Sequence, residues 1–199
     1  EKWYATGQVA LSEHAGTHMD APVHFAQGQA GIDGIPVDRL IGPAVVIDVR
    51  AAVAADRDYR VSLSDIHRWE SVHKTIPAGA IVMLLTGWGA YWTDRERYFG
   101  SATPDVPTTL HFPGFSQEVA EFLVAERHIS GIGIDTASID YGPSRDFVVH
   151  RIVNGAGLYG LENVARLDEV PASGATVMAL PMKIAGGTGA PVRIIAILP

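Results

Sequence analysis

The sequence predicts one mixed α/β or α+β domain that spans residues 1–199. Apolar, β-branched runs bounded by Gly and Pro alternate with amphipathic segments, and no internal repeat or long polar linker divides them. Hydrophobic residues make up 47% of the chain and charged residues 19%, a balance that supports a sizeable core and excludes a disordered chain.

Buried strands are predicted where Val, Ile and Leu follow one another without polar interruption. Such runs are too short to cross a membrane and end at turn-forming residues. Five segments have this character: 43–49, 80–88, 129–139, 175–184 and 190–198.

Two helices are predicted between the strands, over 62–73 and 116–128. Each begins with a serine that can accept a hydrogen bond from the first helical turn, Ser62 and Ser116 respectively. The stretch between them, 89–115, is rich in Pro, Gly and aromatic residues and has no clear periodicity. Long segments of this kind are often functional, so we interpret it as a candidate lid.

Charge and composition exclude several classes of partner. The chain carries 15 basic and 22 acidic residues, a net charge of −7, and its Lys and Arg are scattered, so nucleic acid is not an expected partner. Without cysteine, any metal must be held by His, Asp or Glu. No apolar run is long enough to span a membrane, and we expect a cytoplasmic protein. The chain starts at Glu1 in what reads as the middle of a domain, so we expect an N-terminal segment to be missing.

The strongest functional signal is a cluster of His14, His18, Asp20 and His24. Even spacing would place all four on one face of an extended chain, with apolar residues on the other. A straight strand of that length would span about 33 Å, too far for ligands of one ion. The chain must therefore bend, and Gly16 and Pro22 are the residues where bending costs least.

We predict that His14, His18 and Asp20 bind a divalent metal. Imidazole and carboxylate ligands suit Mn²⁺ or Zn²⁺, and three protein ligands leave a position for a water that the metal activates for attack on a carbonyl. His24 is a further ligand or the group that transfers the proton, and the alternative is a hydrogen-bonded structural histidine. Asp135 and Asp140, after a predicted strand, are candidates to orient metal-bound histidines or to form a turn.

The pattern H-x-G-T-H-x-D-x-P-x-H-F, complete over residues 14–25, resembles the signature of the metal-dependent cyclase family, which includes bacterial kynurenine formamidase and isatin hydrolase. Further segments resemble the family in the same order, among them RLIGPAVVIDV, GIDTASID and KIAGGTGAPVR. The resemblance implies a swivelling β/β/α fold, assembly into a homodimer or homotetramer, and hydrolysis of an amide in a small aromatic substrate. The family's usual opening strand, before the cluster, is not within these residues.

Residue by residue, the resemblance assigns the metal ligands to His14, His18 and Asp20 and the catalytic histidine to His24. The formamidase branch binds a second metal through the same Asp and a later His and Glu twelve residues apart, a spacing that His150 and Glu162 have here. His150 is also a candidate to assist His24 in proton transfer. Whether the site binds one ion or two therefore remains open. The alternative for His150 and Glu162 is that they are hydrogen-bonded in the core.

Between branches, the aromatic stretch and the run DTASIDYGPSRDF resemble isatin hydrolase more than the formamidases. We therefore expect opening of a cyclic amide of the isatin type by metal-activated water, with deformylation of N-formylkynurenine as the alternative. Flat substrates favour aromatic walls, and the candidate substrate contacts are Trp88, Trp92, His111 and Phe112.

Two alternative hypotheses assign the chain to other classes of protein. His18 and Asp20 form the H-x-D half of a two-histidine, one-carboxylate iron site, which would make the chain an oxygenase. The chain would otherwise be a metal-binding protein that keeps the site without turnover. Dependence on oxygen separates the first of these from a hydrolase.

Overall fold

Apolar runs become strands because their side chains are buried on both faces of a sheet. The computed structural model describes residues 2–199, and nine strands occur within them. They are β1 (His18–Asp20), β2 (Ile41–Asp48), β3 (Arg60–Val61), β4 (Ile81–Leu85), β5 (Gly114–Phe115), β6 (Gly131–Ile134), β7 (Tyr159–Glu162), β8 (Thr176–Pro181) and β9 (Gly189–Ile197).

Seven of these strands close into a barrel in the order β1–β7–β6–β4–β2–β8–β9, with β9 pairing back onto β1. The pairs β2–β4, β4–β6 and β6–β7 are parallel, whereas β1 is antiparallel to both of its neighbours. The short strands β3 and β5 form a separate parallel pair.

Five α-helices lie in the described residues: α1 (Arg50–Ala55), α2 (Leu63–His73), α3 (Arg95–Phe99), α4 (Gln117–Arg127) and α5 (Val148–Gly155). Both predicted capping serines are confirmed. The Ser62 hydroxyl accepts a hydrogen bond from the Asp65 backbone N–H, and the Ser116 hydroxyl accepts one from Val119.

Alternate side chains of the parallel strands enter two different cores. On β4, Ile81 and Met83 point into the barrel, whereas Val82 and Leu84 pack against the helical layer. Burial on both faces explains the unbroken apolar runs of the sequence. The expected α/β single-domain class is confirmed in the form of a barrel with helices packed outside it.

The structure corrects two boundaries. The run 129–139 ends as a strand at Ile134, because the Asp135 carboxylate leaves the strand to accept hydrogen bonds from the backbone N–H groups of Thr86 and Gly87. The stretch 89–115 is not one irregular loop. It contains α3, β5, the 3₁₀ turn Pro107–Thr109 and most of the 3₁₀ turn Trp88–Tyr91. Within residues 2–199, no helix is long and apolar enough to cross a membrane.

Candidate metal centre

Strand β1 carries the centre of the site and is held on both sides. Its pairing with β7 sets His18 directly opposite Glu162, and Asp20 opposite Gly160. The other edge of β1 pairs with β9, so the backbone of the same three residues is hydrogen-bonded to a strand on each side. The register therefore brings two ligand-type residues together that are far apart in sequence.

The predicted bends occur on either side of β1. Gly16 has φ +63°, a left-handed conformation that glycine adopts at little cost, and Pro22 opens a 3₁₀ turn over Pro22–His24. These bends fold His14 and His24 back onto each other, with stacked rings whose centroids are 4.1 Å apart. The chain thus brings His14, His18 and His24 together around Asp20.

Asp20 lies at the centre of the cluster and is 1% exposed. Its Oδ1 is 2.7 Å from His14 Nδ1 and 3.3 Å from His18 Nε2, and its Oδ2 is 3.2 Å from His150 Nε2. Glu162 approaches the same histidines, with Oε2 3.3 Å from His18 Nε2 and Oε1 3.1 Å from His150 Nε2.

Hydrogen bonds behind the cluster fix which nitrogen of each histidine faces it. The His18 Nδ1–H donates to the Gly16 carbonyl oxygen at 2.9 Å, so Nε2 is directed at the carboxylates. The His150 Nδ1–H donates to Asp140 Oδ2 at 2.6 Å with the same result. Partners of this kind set the tautomer and orientation of metal-binding imidazoles.

Asp140 also holds the start of α5. Its carboxylate accepts hydrogen bonds from the backbone N–H groups of Val149 and His150. The prediction that Asp140 orients a histidine of the site thus agrees with the structure, whereas Asp135 serves the turn after β4.

The electrostatics of the cluster favour a cation. Burial lowers the pKa of His18, but hydrogen bonds to Asp20 and Glu162 outweigh it and raise the pKa to about 10. Burial likewise lowers the pKa of His150, yet Asp140, Asp20 and Glu162 hold it well above its usual range. For Asp20, burial raises the pKa, but its histidine partners hold it well below normal. The buried carboxylates therefore attract positive charge to the imidazole nitrogens.

The donor set fits a divalent ion. Two groups of side chains each place their ligand atoms within 4.8 Å of one another: His14, Asp20 and His24, and His18, Asp20 and Glu162. Imidazole nitrogens and carboxylate oxygens are the ligands of Mn²⁺ and Zn²⁺ sites. Because Asp20 belongs to both groups, these residues would hold one divalent ion or two.

A cavity of about 660 Å³ opens onto this cluster. Its aromatic wall includes Phe25, Trp92, Tyr98, Phe99, Phe112, Tyr141 and Phe147. Two of the four expected substrate contacts, Trp92 and Phe112, are on this wall.

The structure corrects the placement of the other two. Trp88 is 6% exposed and donates its indole N–H to the Tyr98 carbonyl, and His111 Nδ1 lies 2.7 Å from Asp58 Oδ2. Neither residue lines the cavity. Both instead stabilise the segment behind the aromatic wall.

Comparison with known proteins identifies the class to which this fold and site belong. The Cyclase family model matches residues 2–141. The isatin hydrolase of Roseibium aggregatum is 36% identical over 99% of this chain and 76% of its own length, and the kynurenine formamidase of Salinibacter ruber is 32% identical over 95% and 78%.

Solved structures agree with the sequence comparison. Isatin hydrolase A from Labrenzia aggregata bound to benzyl benzoate superposes with a TM-score of 0.88 at 36% identity, covering 96% of this chain and 75% of that one. An isatin hydrolase bound to the product analogue thioisatinate gives the same TM-score at 34% identity, covering 96% and 74%. The chain belongs to the cyclase family. It is a metal-dependent hydrolase that acts on carbon–nitrogen bonds of amides.

Proposed function

We propose that this enzyme opens the cyclic amide of a small aromatic substrate, with conversion of isatin to isatinate as the type reaction. The observation that carries the proposal is a cavity with aromatic walls that ends at the carboxylate–histidine cluster. The similarity to isatin hydrolases supports the same substrate class. In the reaction, a water oxygen bonds to the amide carbonyl carbon, the carbon–nitrogen bond breaks, and a proton passes to the nitrogen.

The metal site of the proposal consists of His14, His18 and Asp20, with Glu162 and His150 completing it or binding a second ion. A divalent ion such as Mn²⁺ or Zn²⁺, when bound, lowers the pKa of water and polarises a carbonyl. The carboxylates of Asp20 and Glu162 would balance the positive charge of the ion. The hydrogen bond from His18 to the Gly16 carbonyl keeps one imidazole in place.

His24 is the proposed proton carrier. Its ring is half-buried, lines the cavity and stacks on His14, and its centroid is 6.0 Å from that of His150. A neutral imidazole in this position accepts a proton from the attacking water and returns it to the leaving nitrogen. His150, held by Asp140, is the proposed assistant.

A matched pair of substrates tests the proposal. Metal-stripped protein is supplied with Mn²⁺ or Zn²⁺ and incubated with isatin and, separately, with N-formylkynurenine, and loss of each amide is followed by absorbance with and without oxygen. We expect metal-dependent, oxygen-independent opening of isatin. Failure to hydrolyse isatin with either metal would contradict the proposal, and a requirement for oxygen would favour the oxygenase reading.

Deformylation of N-formylkynurenine is the second candidate, favoured by a specific observation. Glu162 lies 3.3 Å from His18 Nε2 and 3.1 Å from His150 Nε2, so the residues with the spacing of the second-metal pair of the formamidase branch, His150 and Glu162, both adjoin the proposed ligands. Preferential deformylation in the same assay would select this activity. Homo-oligomeric assembly and a cytoplasmic location stay predictions.

A further inference from the structure

A chain of hydrogen bonds connects the cavity wall to the back of a proposed metal ligand. It begins at Tyr98 on α3, passes through Asn163 and reaches the Gly16 carbonyl, to which His18 is bonded. Neither Tyr98 nor Asn163 was expected from the sequence to belong to the site. We propose that these two residues are positioning residues that hold His18 in its metal-binding orientation. The inference rests on the metal site of the proposed function.

The last link of the chain is the Gly16 carbonyl oxygen. It accepts the His18 Nδ1–H at 2.9 Å and the Asn163 Nδ2–H at 2.8 Å. Gly16 lies in a left-handed bend, and glycine alone does not prevent its peptide group from rotating. The amide of Asn163 supplies the missing constraint, so the direction of the carbonyl, and with it the plane of the His18 ring, depends on that side chain.

Asn163 is itself fixed from several sides. It directly follows Glu162 and has φ +54°, a conformation that asparagine tolerates better than most residues. Its backbone N–H donates to the Thr136 carbonyl at 2.8 Å, and its own carbonyl accepts the Thr17 hydroxyl at 2.6 Å. These bonds aim the side chain at Gly16 from the β7 side of the cluster.

Tyr98 determines which end of the Asn163 amide faces Gly16. Its hydroxyl donates to Asn163 Oδ1 at 2.6 Å, which leaves the amide nitrogen to donate to the Gly16 carbonyl. Tyr98 is 3% exposed, and Trp92 of the cavity wall packs edge-on against its ring at 5.2 Å. A contact with the aromatic wall is therefore connected to the metal ligand through three successive hydrogen bonds.

The test measures metal affinity, which does not depend on the identity of the substrate. Mn²⁺ binding is titrated against a competing chelator for the wild type, Tyr98→Phe, Asn163→Gly and the double variant. Glycine is chosen because it accepts the left-handed backbone at position 163. We expect each single variant to weaken Mn²⁺ binding by about 10-fold, the lower end of the effect of outer partners of metal ligands.

Non-additivity is the sharper expectation. Once Asn163 has lost its amide, the Tyr98 hydroxyl has no route to Gly16, so the double variant should bind Mn²⁺ no more weakly than Asn163→Gly alone. The visible spectrum of the Co²⁺-loaded protein should change in both single variants, because the direction of an imidazole ligand changes.

Tyr159→Phe is the matched control. Tyr159 is also a buried tyrosine, lies on β7, and donates its hydroxyl to the Arg39 carbonyl at 2.9 Å, away from Gly16. Three results would overturn the proposal. They are wild-type Mn²⁺ affinity in Tyr98→Phe and Asn163→Gly, losses of affinity that add up in the double variant, and an equal loss of affinity in Tyr159→Phe. Wild-type protein that binds Mn²⁺ but opens neither amide would refute the proposed function and leave this test valid.

Discussion

At the scale of single residues, substitution of His24 distinguishes a role in metal binding from a role in proton transfer. His24 belongs to one of the two ligand groups, but His18, Asp20 and Glu162 form the other group without it. We therefore expect His24→Ala to retain tight binding of one metal ion and to lose most turnover, by a factor of roughly 10² to 10⁴, the usual contribution of a proton-transfer group.

Metal content by elemental analysis and initial rates of isatin hydrolysis measure the two quantities on one preparation. Asp38→Asn, an exposed change outside the cavity and the ligand groups, serves as the handling control. Full activity of His24→Ala would remove the assigned role. Loss of the metal together with activity would show instead that His24 is an essential ligand.

The sequence predicted the local part of this site and not its long-range part. His14, His18, Asp20 and His24 are close in sequence, so periodicity and the bends at residues 16 and 22 were enough to group them. Asn163 and Tyr98 carried no such signal, because their role comes from strand register and from the position of α3. The prediction that Trp88 and His111 line the cavity was wrong, because aromatic composition does not indicate the direction in which a side chain points.

At the scale of elements, the start of α2 depends on an ionised carboxylate. Asp65 accepts hydrogen bonds from the Ser62 backbone and hydroxyl and from the Tyr59 hydroxyl. Burial raises the pKa of Asp65, but the hydrogen bonds from Tyr59 and Ser62 outweigh it, so the pKa lies below its ordinary value.

A lowered carboxyl pKa makes stability fall in acid. The contribution of Asp65 is fully present above its unfolded-state pKa of about 3.9 and is lost as the pH falls through the lower folded-state value. We expect Asp65→Asn to lower the free energy of unfolding at pH 7 and to differ progressively less from the wild type below about pH 4.

Urea unfolding at a series of pH values measures this difference. Ser62→Ala, which removes the cap but keeps the carboxylate, should cost about 1 kcal/mol at pH 7. A gap between wild type and Asp65→Asn that stays constant from pH 7 to the acid limit would contradict the assignment.

Strands and helices were predictable where burial produces a long apolar pattern in the sequence. They were not predictable where an element forms only because it pairs with neighbouring strands. All five expected strands and both expected helices are present. Strand β1 has only three residues and owes its existence to β7 and β9 on either side. Helix α3 is only five residues long and begins at Arg95, directly after its capping residue Asp94, inside a stretch without periodicity.

At the scale of the whole molecule, the candidate ligands come from separate parts of the barrel. His18 and Asp20 lie on β1, Glu162 on β7, and His150 on α5. An ion held by them would join segments more than 100 residues apart, and the unfolded chain does not hold these segments together. Metal binding should therefore stabilise the entire fold and not merely the site.

The expected size of this effect follows from mass action. A ligand at 100 times its dissociation constant adds about 2.7 kcal/mol to the free energy of unfolding. For a domain of this length that corresponds to a rise in Tm of roughly 5 to 10 °C. Calorimetry of metal-stripped protein with increasing Mn²⁺ or Zn²⁺ measures it, with His18→Ala as the control that removes one ligand. A rise of the same size in His18→Ala would place the ion elsewhere, and no rise in the wild type at saturating metal would contradict a site that depends on the folded barrel.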